Sequence, residues 1–498
     1  MRKHSDEKPM MKLCDATLGG LPDGVLTPSY DRSKLSPGFV HIGLGNFHRA
    51  HQAWYLHRLM QQGLALDWAI VGAGVRPYDE DQRLKLAAQD YMTTLIELSP
   101  EGRTAEVIGS MIDYVPIEPG NAQLIEQMAQ PEIRIVSLTV TEGGYYIDPV
   151  TKEFDTTHPD ILFDAANPEN PKTAFGAIVV ALRLRRDREI GPFTGMSCDN
   201  LQGNGTILRQ TVVSLARMSD PKLAGWIDTT CSFPNSMVDC IVPATGTKER
   251  ELVQALGIDD ALPVTHENFR QWVIEDDFCA GRPDWDKVGV TFTDNVHDFE
   301  AMKIRVLNGG HQVIAGAGEL LTLGTIADCM EHEKVAALFD KVVREEIAPL
   351  VKPVLGMTPE AYIALIKQRF SNPHIVDTTR RVAFDGSSRH PGFIIPSIRT
   401  GLARDTPVDG LAFISAVWAR MCEGKREDGS RIEPNDPVWD DLQLAAKAAR
   451  RNPNVWLSQD QYYGDLSTQP RFVNAFDKWL KMIWAVGLEA AMESYLES

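Results

Sequence analysis

The chain has 498 residues, of which 43% are hydrophobic and 24% are charged. This length and composition are typical of a soluble globular protein with two or three domains, because one hydrophobic core rarely serves so long a chain. The formal net charge of -18 argues against nucleic acid or an anionic membrane as the main partner, although a local basic pocket remains compatible with it.

The seven cysteines are scattered, with no C-x-x-C pair and no Cys/His spacing typical of zinc ligands. We therefore expect free thiols in a reducing compartment and no bound metal. The N-terminal stretch from Met1 to Lys8 is polar and does not resemble a secretory signal, and no apolar run is long enough to span a bilayer. A cytoplasmic enzyme is the default expectation, and the oligomeric state is left open.

Strand-like runs alternate with helical patterns in the first part of the chain. Residues 38–45 predict a buried strand that enters a glycine turn, and residues 47–62 and 68–74 predict a helix and a second strand. Strands alternating with helices indicate a largely parallel sheet with helices on its faces. Further strands are predicted at 91–98, 106–110, 133–141 and 193–198, and further helices at 173–186 and 206–218.

Helical patterns dominate the rest of the chain, with Pro and Gly at their junctions. We therefore predict a domain boundary near residue 293, with a Rossmann-like α/β domain over 1–293 and a mostly α-helical substrate and catalytic domain over 294–498. The predicted helices of the second domain are 300–323, 335–350, 359–370, 410–423, 436–451 and 469–492.

The first glycine turn has features of a dinucleotide-binding motif. Gly43 and Gly45 lie where backbone N–H groups can approach a pyrophosphate, although His48 occupies the third glycine position of G-x-G-x-x-G. Asp79 supplies an acid after the second strand, which favours NAD over NADP, but it lies further along than usual. The alternatives are a tight turn of any α/β fold and an ordinary loop carboxylate, with the next two acidic residues as rivals.

Lys303, Asn308 and His311 lie close together in the second part of the chain. In a helix, steps of five and three residues would place these side chains on one broad side. A lysine in a half-buried polar pocket can act as a base near neutral pH. The alternative is a solvated lysine followed by an Asn-Gly pair at a turn.

Several uncommon strings occur together and in order between about residues 38 and 400. The strings are HIGLGNFHRAH (41–51), IVSLTVTEGGY (135–145), SCDN (197–200), FPNSMVD (233–239), QWVIED (271–276), GRP (281–283), KIRVLNGGH (303–311), RFSNP (369–373) and DGSSR (385–389). Through these strings the chain resembles the mannitol dehydrogenase family of long-chain, metal-independent polyol dehydrogenases. The match is loose beyond Gly401.

The resemblance implies a role for each matching residue. Lys303 is the general base in alcohol oxidation and the general acid in ketone reduction, Asn200 and Asn308 hold the developing oxyanion, and His311 orients the substrate. The remaining implied residues are Asp239, Arg381 and Arg389 for the other substrate hydroxyls and Glu300 for a proton path to the lysine. We expect the cofactor to be bound by Gly43, Gly45, Phe47, Arg49 and Asp79.

Each assignment has a structural alternative. Asn200 could cap the following helix, Asp239 could pair with a nearby arginine, and Glu300 could favour a helix dipole. Arg381 and Arg389 could be surface charges beside a turn.

The sequence also departs from the family pattern at four places. Cys240 stands where arginine is usual, Arg389 where lysine is frequent, Gly310 where serine is commoner, and His266 where cysteine is frequent. Because arginine and lysine are not interchangeable at hydrogen-bonding sites, the substrate is not assumed to be mannitol.

Three functions remain open. The leading one is an NAD-dependent polyol 2-dehydrogenase, with mannitol/fructose first and arabinitol/xylulose or sorbitol next, and with NADP as a less favoured cofactor. The second is a fructuronate or tagaturonate reductase, because a substrate carboxylate would need an arginine clamp such as Arg381 and Arg389. The third is a non-catalytic dinucleotide sensor.

Overall fold

The computed structural model describes residues 10–148 and 153–498, so the N-terminal stretch from Met1 to Lys8 lies outside the described residues. The chain divides into two compact units, Met1–His297 and Asp298–Ser498. Within the described ranges, no helix is both long and apolar enough to cross a membrane.

The strands that the structure describes all belong to the first unit. They are β1 (Met11–Lys12), β2 (Val25–Leu26), β3 (Pro37–Ile42), β4 (Ala69–Ala73), β5 (Thr93–Ser99), β6 (Gly102–Ile108), β7 (Met111–Tyr114), β8 (Ile135–Leu138), β9 (Thr194–Ser197), β10 (Ser236–Asp239), β11 (Ile258–Asp259), β12 (Val264–Glu267), β13 (Gln271–Ile274) and β14 (Thr291–Phe292).

The central sheet of this unit has five strands in the order β7-β4-β3-β8-β9. Every neighbouring pair in it is parallel. The strand order reverses between β3 and β8, the arrangement in which α/β proteins bind ligands at the carboxyl ends of the strands. The predicted parallel sheet is therefore confirmed. Smaller sheets, β12-β5-β6-β2, β10-β13-β14 and β1-β11, complete the unit.

Side chains on β3 point alternately into two apolar clusters, one on each face of the central sheet. Val40 and Ile42 belong to the cluster that helices on one face complete, whereas Phe39 belongs to the other cluster, together with Trp272 and Trp285. Burial on both faces explains why the strands are short apolar runs without polar alternation.

Helices of the first unit cover the sheet, and the predicted helix over 47–62 is interrupted. His51 has φ −123° and ψ −90°, which splits that stretch into two helices. The described helices are α1 (Asn46–Ala50), α2 (Gln52–Met60), α3 (Asp79–Ala87), α4 (Ala122–Met128), α5 (Pro159–Ala166), α6 (Ala174–Asp187), α7 (Asn204–Ser219), α8 (Pro221–Thr230) and α9 (Thr247–Ala255).

The second unit is helical, as predicted, around one large apolar cluster. Its first helix, α10 (Val296–Met302), begins just before the unit boundary. The others are α11 (Gly309–Leu320), α12 (Ile326–Glu331), α13 (Glu333–Val342), α14 (Pro359–Phe370), α15 (Thr379–Ala383), α16 (Gly386–Phe393), α17 (Ile395–Ala403), α18 (Asp409–Met421), α19 (Trp439–Ala449), α20 (Asn454–Leu457), α21 (Asp460–Tyr463), α22 (Pro470–Val486) and α23 (Leu488–Glu497).

Two of the predicted long helices contain π-helical segments. Lys303–Asn308 joins α10 to α11, and Val343–Ile347 continues α13 before a short 3-10 turn. The predicted helix over 469–492 is also divided, because Gly487 adopts φ 85° between α22 and α23. In contrast, the predicted helix over 359–370 matches α14 residue for residue.

Candidate active site

The glycine turn after β3 is built around Gly43. Its φ is +90°, and a Cβ at this position would lie 2.2 Å from the carbonyl oxygen of Thr139, so only glycine fits. Gly45 differs, because a Cβ there would meet no heavy atom within 4 Å. Packing does not require glycine at this exposed position, whereas close approach of a bound pyrophosphate would. The geometry of the turn therefore fits a bound dinucleotide, because the space next to Gly45 is open.

Asp79 lies beside the carboxyl end of β4 in spite of its late position in the sequence. Its carboxylate accepts a hydrogen bond from the backbone N–H of Arg76 at 3.1 Å. A Cβ on Gly74 would lie 2.6 Å from the Asp79 side chain, so the carboxylate packs directly against the residue that follows β4. The intervening turn thus returns Asp79 to the place where a ribose-binding acid is expected.

Phe47 and Arg49 occupy different environments on α1. The Phe47 ring stacks on His51 with ring centroids 4.9 Å apart and remains partly exposed. The Arg49 guanidinium is buried and donates to Asn46 Oδ1 at 2.7 Å and to the carbonyl of Leu262. Arg49 therefore anchors α1 inside the unit, and its predicted role in cofactor binding stays a prediction.

Asn200 is exposed and follows β9 directly after a buried carboxylate, Asp199. Helix α7 begins later, with Gly203 as its N-cap, so Asn200 does not cap it. Asp199 accepts the backbone N–H groups of Val140 at 3.0 Å and Thr141 at 2.8 Å. These bonds tie the carboxyl end of β8 to that of β9.

Two further features reinforce this tie. The Tyr145 hydroxyl donates to Asp199 Oδ2 at 2.7 Å. Thr141 has φ 69° and ψ 162°, a region that glycine adopts almost alone and that costs about 1–3 kcal/mol for other residues. Such strain persists where surrounding contacts hold it, and the Asp199 carboxylate makes one of those contacts.

Asp239 is the last residue of β10, opposite Gln271 of β13, and is 5% exposed. The next residue, Cys240, is also buried. His266, which also departs from the family pattern, lies on β12. The distance between His266 Nε2 and Arg270 Nη2 is 2.8 Å. Burial lowers the pKa of His266 to about 3, so the ring is neutral.

The π-helical segment changes the geometry expected for Lys303 and Asn308. In an α-helix, five residues would leave these side chains roughly 140° apart around the axis. In a π-helix the hydrogen bonds span five residues, as the bond from Gly309 N–H to Ile304 O shows, so Lys303 and Asn308 lie on the same side of the helix. The Lys303 side chain is buried and that of Asn308 is half-buried.

His311 lies one turn further, on α11. Its ring stacks on Phe370 with centroids 4.1 Å apart and an interplanar angle of 10°. Burial lowers the pKa of His311 to about 4, so the imidazole is neutral at pH 7. Its Nε2 atom is buried and has no hydrogen-bond partner in the protein.

Arg381 and Arg389 lie on α15 and α16 of the same unit. Arg381 forms a two-pronged ion pair with Asp377, and its side chain is 60% exposed. Arg389 donates to the carbonyl oxygens of Arg381 at 3.1 Å and Val382 at 2.8 Å, near the end of α15. Burial is the main cause of the low pKa of His311, the Asp377 carboxylate opposes it, and Arg381, Arg369 and Arg389 lower the pKa further, so these charges lie near the imidazole.

Glu300 is buried on α10, three residues before Lys303. Side chains three apart in a helix are neighbours, which suits a proton path to the lysine. In the part of the chain that the structure describes, no group of three or more His, Cys, Asp or Glu side chains is arranged to hold a metal ion.

Sequence reasoning missed two buried carboxylates, Asp377 and Asp199. The spacing of Asp377 and Arg381, four residues apart, is a readable sign of an ion pair at the start of a helix. No spacing in the sequence indicated the role of Asp199, because its partners, Val140, Thr141 and Tyr145, are far from it in the sequence.

Comparison with known proteins identifies the family. The profile described as "Mannitol dehydrogenase Rossmann domain" matches residues 37–287, and that described as "Mannitol dehydrogenase C-terminal domain" matches residues 295–484. The chain belongs to the mannitol dehydrogenase family. The predicted family, the Rossmann-type first domain, the helical second domain and the assignment as a dehydrogenase of this family are thereby confirmed.

Individual relatives extend over nearly the whole chain. It is 54% identical to a mannitol 2-dehydrogenase from Cereibacter sphaeroides over 472 residues, which cover 95% of this chain and 99% of that protein. Among solved structures of the mannitol dehydrogenase family, the mannitol 2-dehydrogenase of Pseudomonas fluorescens in a ternary complex with NAD and D-mannitol matches with a TM-score of 0.88 and 38% identity, covering 98% of this chain and 100% of that one. A D-sorbitol dehydrogenase in substrate-free form matches with a TM-score of 0.89 and 35% identity, covering 97% and 100%.

Proposed function

We propose that the protein is a cytoplasmic, NAD-dependent polyol 2-dehydrogenase that interconverts a sugar alcohol and its ketose, with mannitol and fructose as the preferred pair. The observation that carries the proposal is the segment Lys303 to His311, which places a buried lysine, an amide and a neutral imidazole on one helical run. The names of the relatives favour mannitol over other polyols.

The chemistry assigned to Lys303 is proton transfer. As hydride leaves the secondary alcohol carbon, Lys303 Nζ accepts the hydroxyl proton, and in ketone reduction it returns that proton. Glu300, one helical turn earlier, relays the proton between the lysine and water. The bound dinucleotide supplies the hydride acceptor and donor.

The two asparagines are assigned to the reacting oxygen. The Asn308 side-chain amide donates a hydrogen bond to the oxygen as negative charge develops, and its alignment with Lys303 in the π segment supports this role. We assign the same role to Asn200, which the Asp199 contacts hold at the carboxyl end of the sheet.

The remaining polar groups are assigned to the other substrate hydroxyls. His311 Nε2 lacks a protein partner and can bond a hydroxyl, and the Arg381 guanidinium retains donors beyond its ion pair. We assign Asp239 and Arg389 to the same task.

The preference for NAD rests on Asp79. Its carboxylate lies at the carboxyl end of β4, where it can accept hydrogen bonds from a ribose 2′-hydroxyl and would repel a 2′-phosphate. Gly43, Gly45 and Phe47 complete the proposed cofactor contacts.

The first experiment is NADH oxidation by the purified protein with fructose, xylulose, sorbose, fructuronate and tagaturonate, and with NADPH in parallel. We expect fructose to have the highest kcat/KM and NADH to be preferred over NADPH. Turnover of fructuronate or tagaturonate alone would replace the proposal by a sugar-acid reductase. NADH binding without turnover of any compound would replace it by a dinucleotide sensor.

One observation favours the sugar-acid reductase as the second candidate. Three arginines, Arg369, Arg381 and Arg389, lie near enough to His311 to add to the effect of burial in lowering its pKa, and their positive charge would suit a substrate carboxylate. The carboxylate of Asp377 compensates part of that charge, so we rank this candidate below the polyol dehydrogenase.

A further inference from the structure

Asp377 is a buried carboxylate whose backbone is fixed on both sides. Its carbonyl oxygen accepts the backbone N–H of Ile326, the first residue of α12, at 2.8 Å. Its own N–H donates to the carbonyl of Ile375 at 2.9 Å. The side chain is 5% exposed. These bonds hold the backbone of Asp377, and with it the base of the side chain, in place just before α15.

Both carboxylate oxygens hold Arg381. Arg381 Nε donates to Oδ1 at 2.6 Å and Nη2 donates to Oδ2 at 2.7 Å, which is the two-pronged geometry that suits a guanidinium. An arginine that is 60% exposed would otherwise sample many rotamers. The pair fixes the guanidinium plane and uses two of its five N–H groups, so three remain for a ligand.

The same carboxylate lies beside His311 without bonding to it. His311 Nε2 is 3.8 Å from Asp377 Oδ2, beyond hydrogen-bond distance, and Oδ2 already accepts from Arg381. Stacking on Phe370 holds the imidazole ring from its face. Nε2 therefore keeps its hydrogen-bonding capacity for another group, although it is buried.

We propose that Asp377 is the positioning residue of the substrate site in the second unit, where it fixes the Arg381 guanidinium and leaves His311 Nε2 available for a substrate hydroxyl. This inference rests on the proposed function, because Arg381 and His311 bind substrate hydroxyls in that proposal. Asp377 itself does not contact the reacting atoms. It sets which polyols fit, because it fixes the relative placement of two groups, the Arg381 guanidinium and His311 Nε2, that bind different substrate hydroxyls.

The test is steady-state kinetics of Asp377→Asn with mannitol, sorbitol and arabinitol, and with NAD varied separately. Loss of the charge-assisted pair predicts that KM for the best polyol rises about 10- to 100-fold, with a smaller change in kcat and an unchanged KM for NAD. The kcat/KM values of the three polyols should also become more similar, so that the ratio of the highest value to the lowest falls. A carboxylate with only a structural role would not change that ratio.

Two controls make the result specific. Asp340→Asn removes a carboxylate of the same unit that pairs with Lys367 at 2.8 Å and Arg344 at 3.0 Å, and we expect wild-type KM values from it. In the Arg381→Gln background, Asp377→Asn should add much less to KM than it does alone, since the guanidinium it positions is absent.

The outcomes separate the inference from the function. A wild-type protein without polyol turnover would overturn the proposed function. Wild-type turnover together with an unchanged polyol KM and selectivity in Asp377→Asn would overturn only the inference. If that variant does not fold, Asp377→Glu keeps the charge but displaces it by one methylene, and an unchanged KM and selectivity in this folded variant would equally overturn the inference.

Discussion

In the first unit the candidate site residues follow strands that lie far apart in sequence, whereas in the second unit three of them lie within one helical segment, Lys303 to His311. Gly43, Asp79 and Asn200 lie at the same edge of the central sheet because parallel strands place their carboxyl ends there. Local spacing therefore reveals site residues that share a helix, while the strand topology is needed to recognise those that share the edge of a sheet.

The two units also hold their site residues by similar means. In each, a buried carboxylate accepts several donors next to a proposed substrate contact: Asp199 beside Asn200, and Asp377 beside Arg381 and His311. The difference lies in the donors. Asp199 accepts two backbone N–H groups of a strained loop as well as the Tyr145 hydroxyl, whereas the hydrogen bonds described for the Asp377 carboxylate all come from the Arg381 side chain.

The largest expected effect belongs to the helical segment. Lys303→Ala should lower kcat about 10²- to 10⁴-fold, because it removes the general base, and the thermal unfolding curve should stay close to that of the wild type. Lys447→Ala, which removes an exposed lysine on α19, serves as the matched control. Near-normal turnover in Lys303→Ala would show that Lys303 is not the general base.

The two asparagines test whether both units contribute to the same step. Asn308→Ala and Asn200→Ala should each lower kcat about 10²- to 10³-fold, because each removes one donor to the developing oxyanion. Asn167→Ala, an exposed amide at the end of α5, should leave kcat unchanged. If Asn200→Ala had the activity of Asn167→Ala, the first unit would contribute cofactor binding alone.

Buried histidines predict a loss of stability in acid for both units. Burial lowers the pKa of His41 and His266 in the first unit and of His390 in the second to about 3, from an ordinary 6.5. The unfolded chain therefore binds protons below pH 6.5 that the folded chain does not. The contribution of these neutral histidines to the free energy of unfolding is fully present above pH 6.5 and is lost as the pH falls from 6.5 towards 3.

At pH 5 each such histidine should reduce the free energy of unfolding by about 2 kcal/mol relative to pH 7. Urea unfolding between pH 7 and pH 5 measures this effect, and His390→Gln should reduce the pH dependence by one histidine's share. Equal stability at pH 7 and pH 5 would contradict the neutral state of these rings.

The smallest expected effect concerns the hydrogen bonds that Asp199 accepts from the loop after β8. Tyr145→Phe removes the hydroxyl that donates to Asp199, and the free energy of unfolding should fall by about 1–2 kcal/mol. Activity should fall less than in Asn200→Ala, because the backbone donors to Asp199 remain. A loss of activity equal to that of Asn200→Ala would show that the tie depends mainly on the tyrosine.

The sequence allowed the order of elements to be predicted wherever apolar periodicity was regular. Strand β3 with its glycine turn and helix α14 are examples, since their patterns and breakers agree. The helices between residues 379 and 403 were missed, because Gly386, Pro391 and Gly392 indicate turns when local propensity alone is considered.

Other features of the site had no local sequence pattern. The turn that returns Asp79 to Gly74 could not be predicted from spacing, because the usual motif places the acid nearer to the strand. The strained backbone of Thr141 depends on contacts with Asp199 from a different strand. The roles of Lys303, Asn200 and Asn308 came from family resemblance, and they stay predictions until the variants are measured.

The π-helical segment has a consequence for insertions and deletions in the gene. A π turn holds one residue more than an α turn, so loss of a single codon between Lys303 and Asn308 would leave a continuous α-helix. Because the π turn already absorbs the extra residue, the helix beyond the deletion would keep its orientation, and the α11 face formed by Val313, Ile314, Ala317 and Leu320 would stay buried. Loss of one codon within α11 itself would instead rotate everything beyond it by about 100° around the helix axis. The π segment is therefore the part of this helical run where loss of one residue disturbs the packing of the domain least.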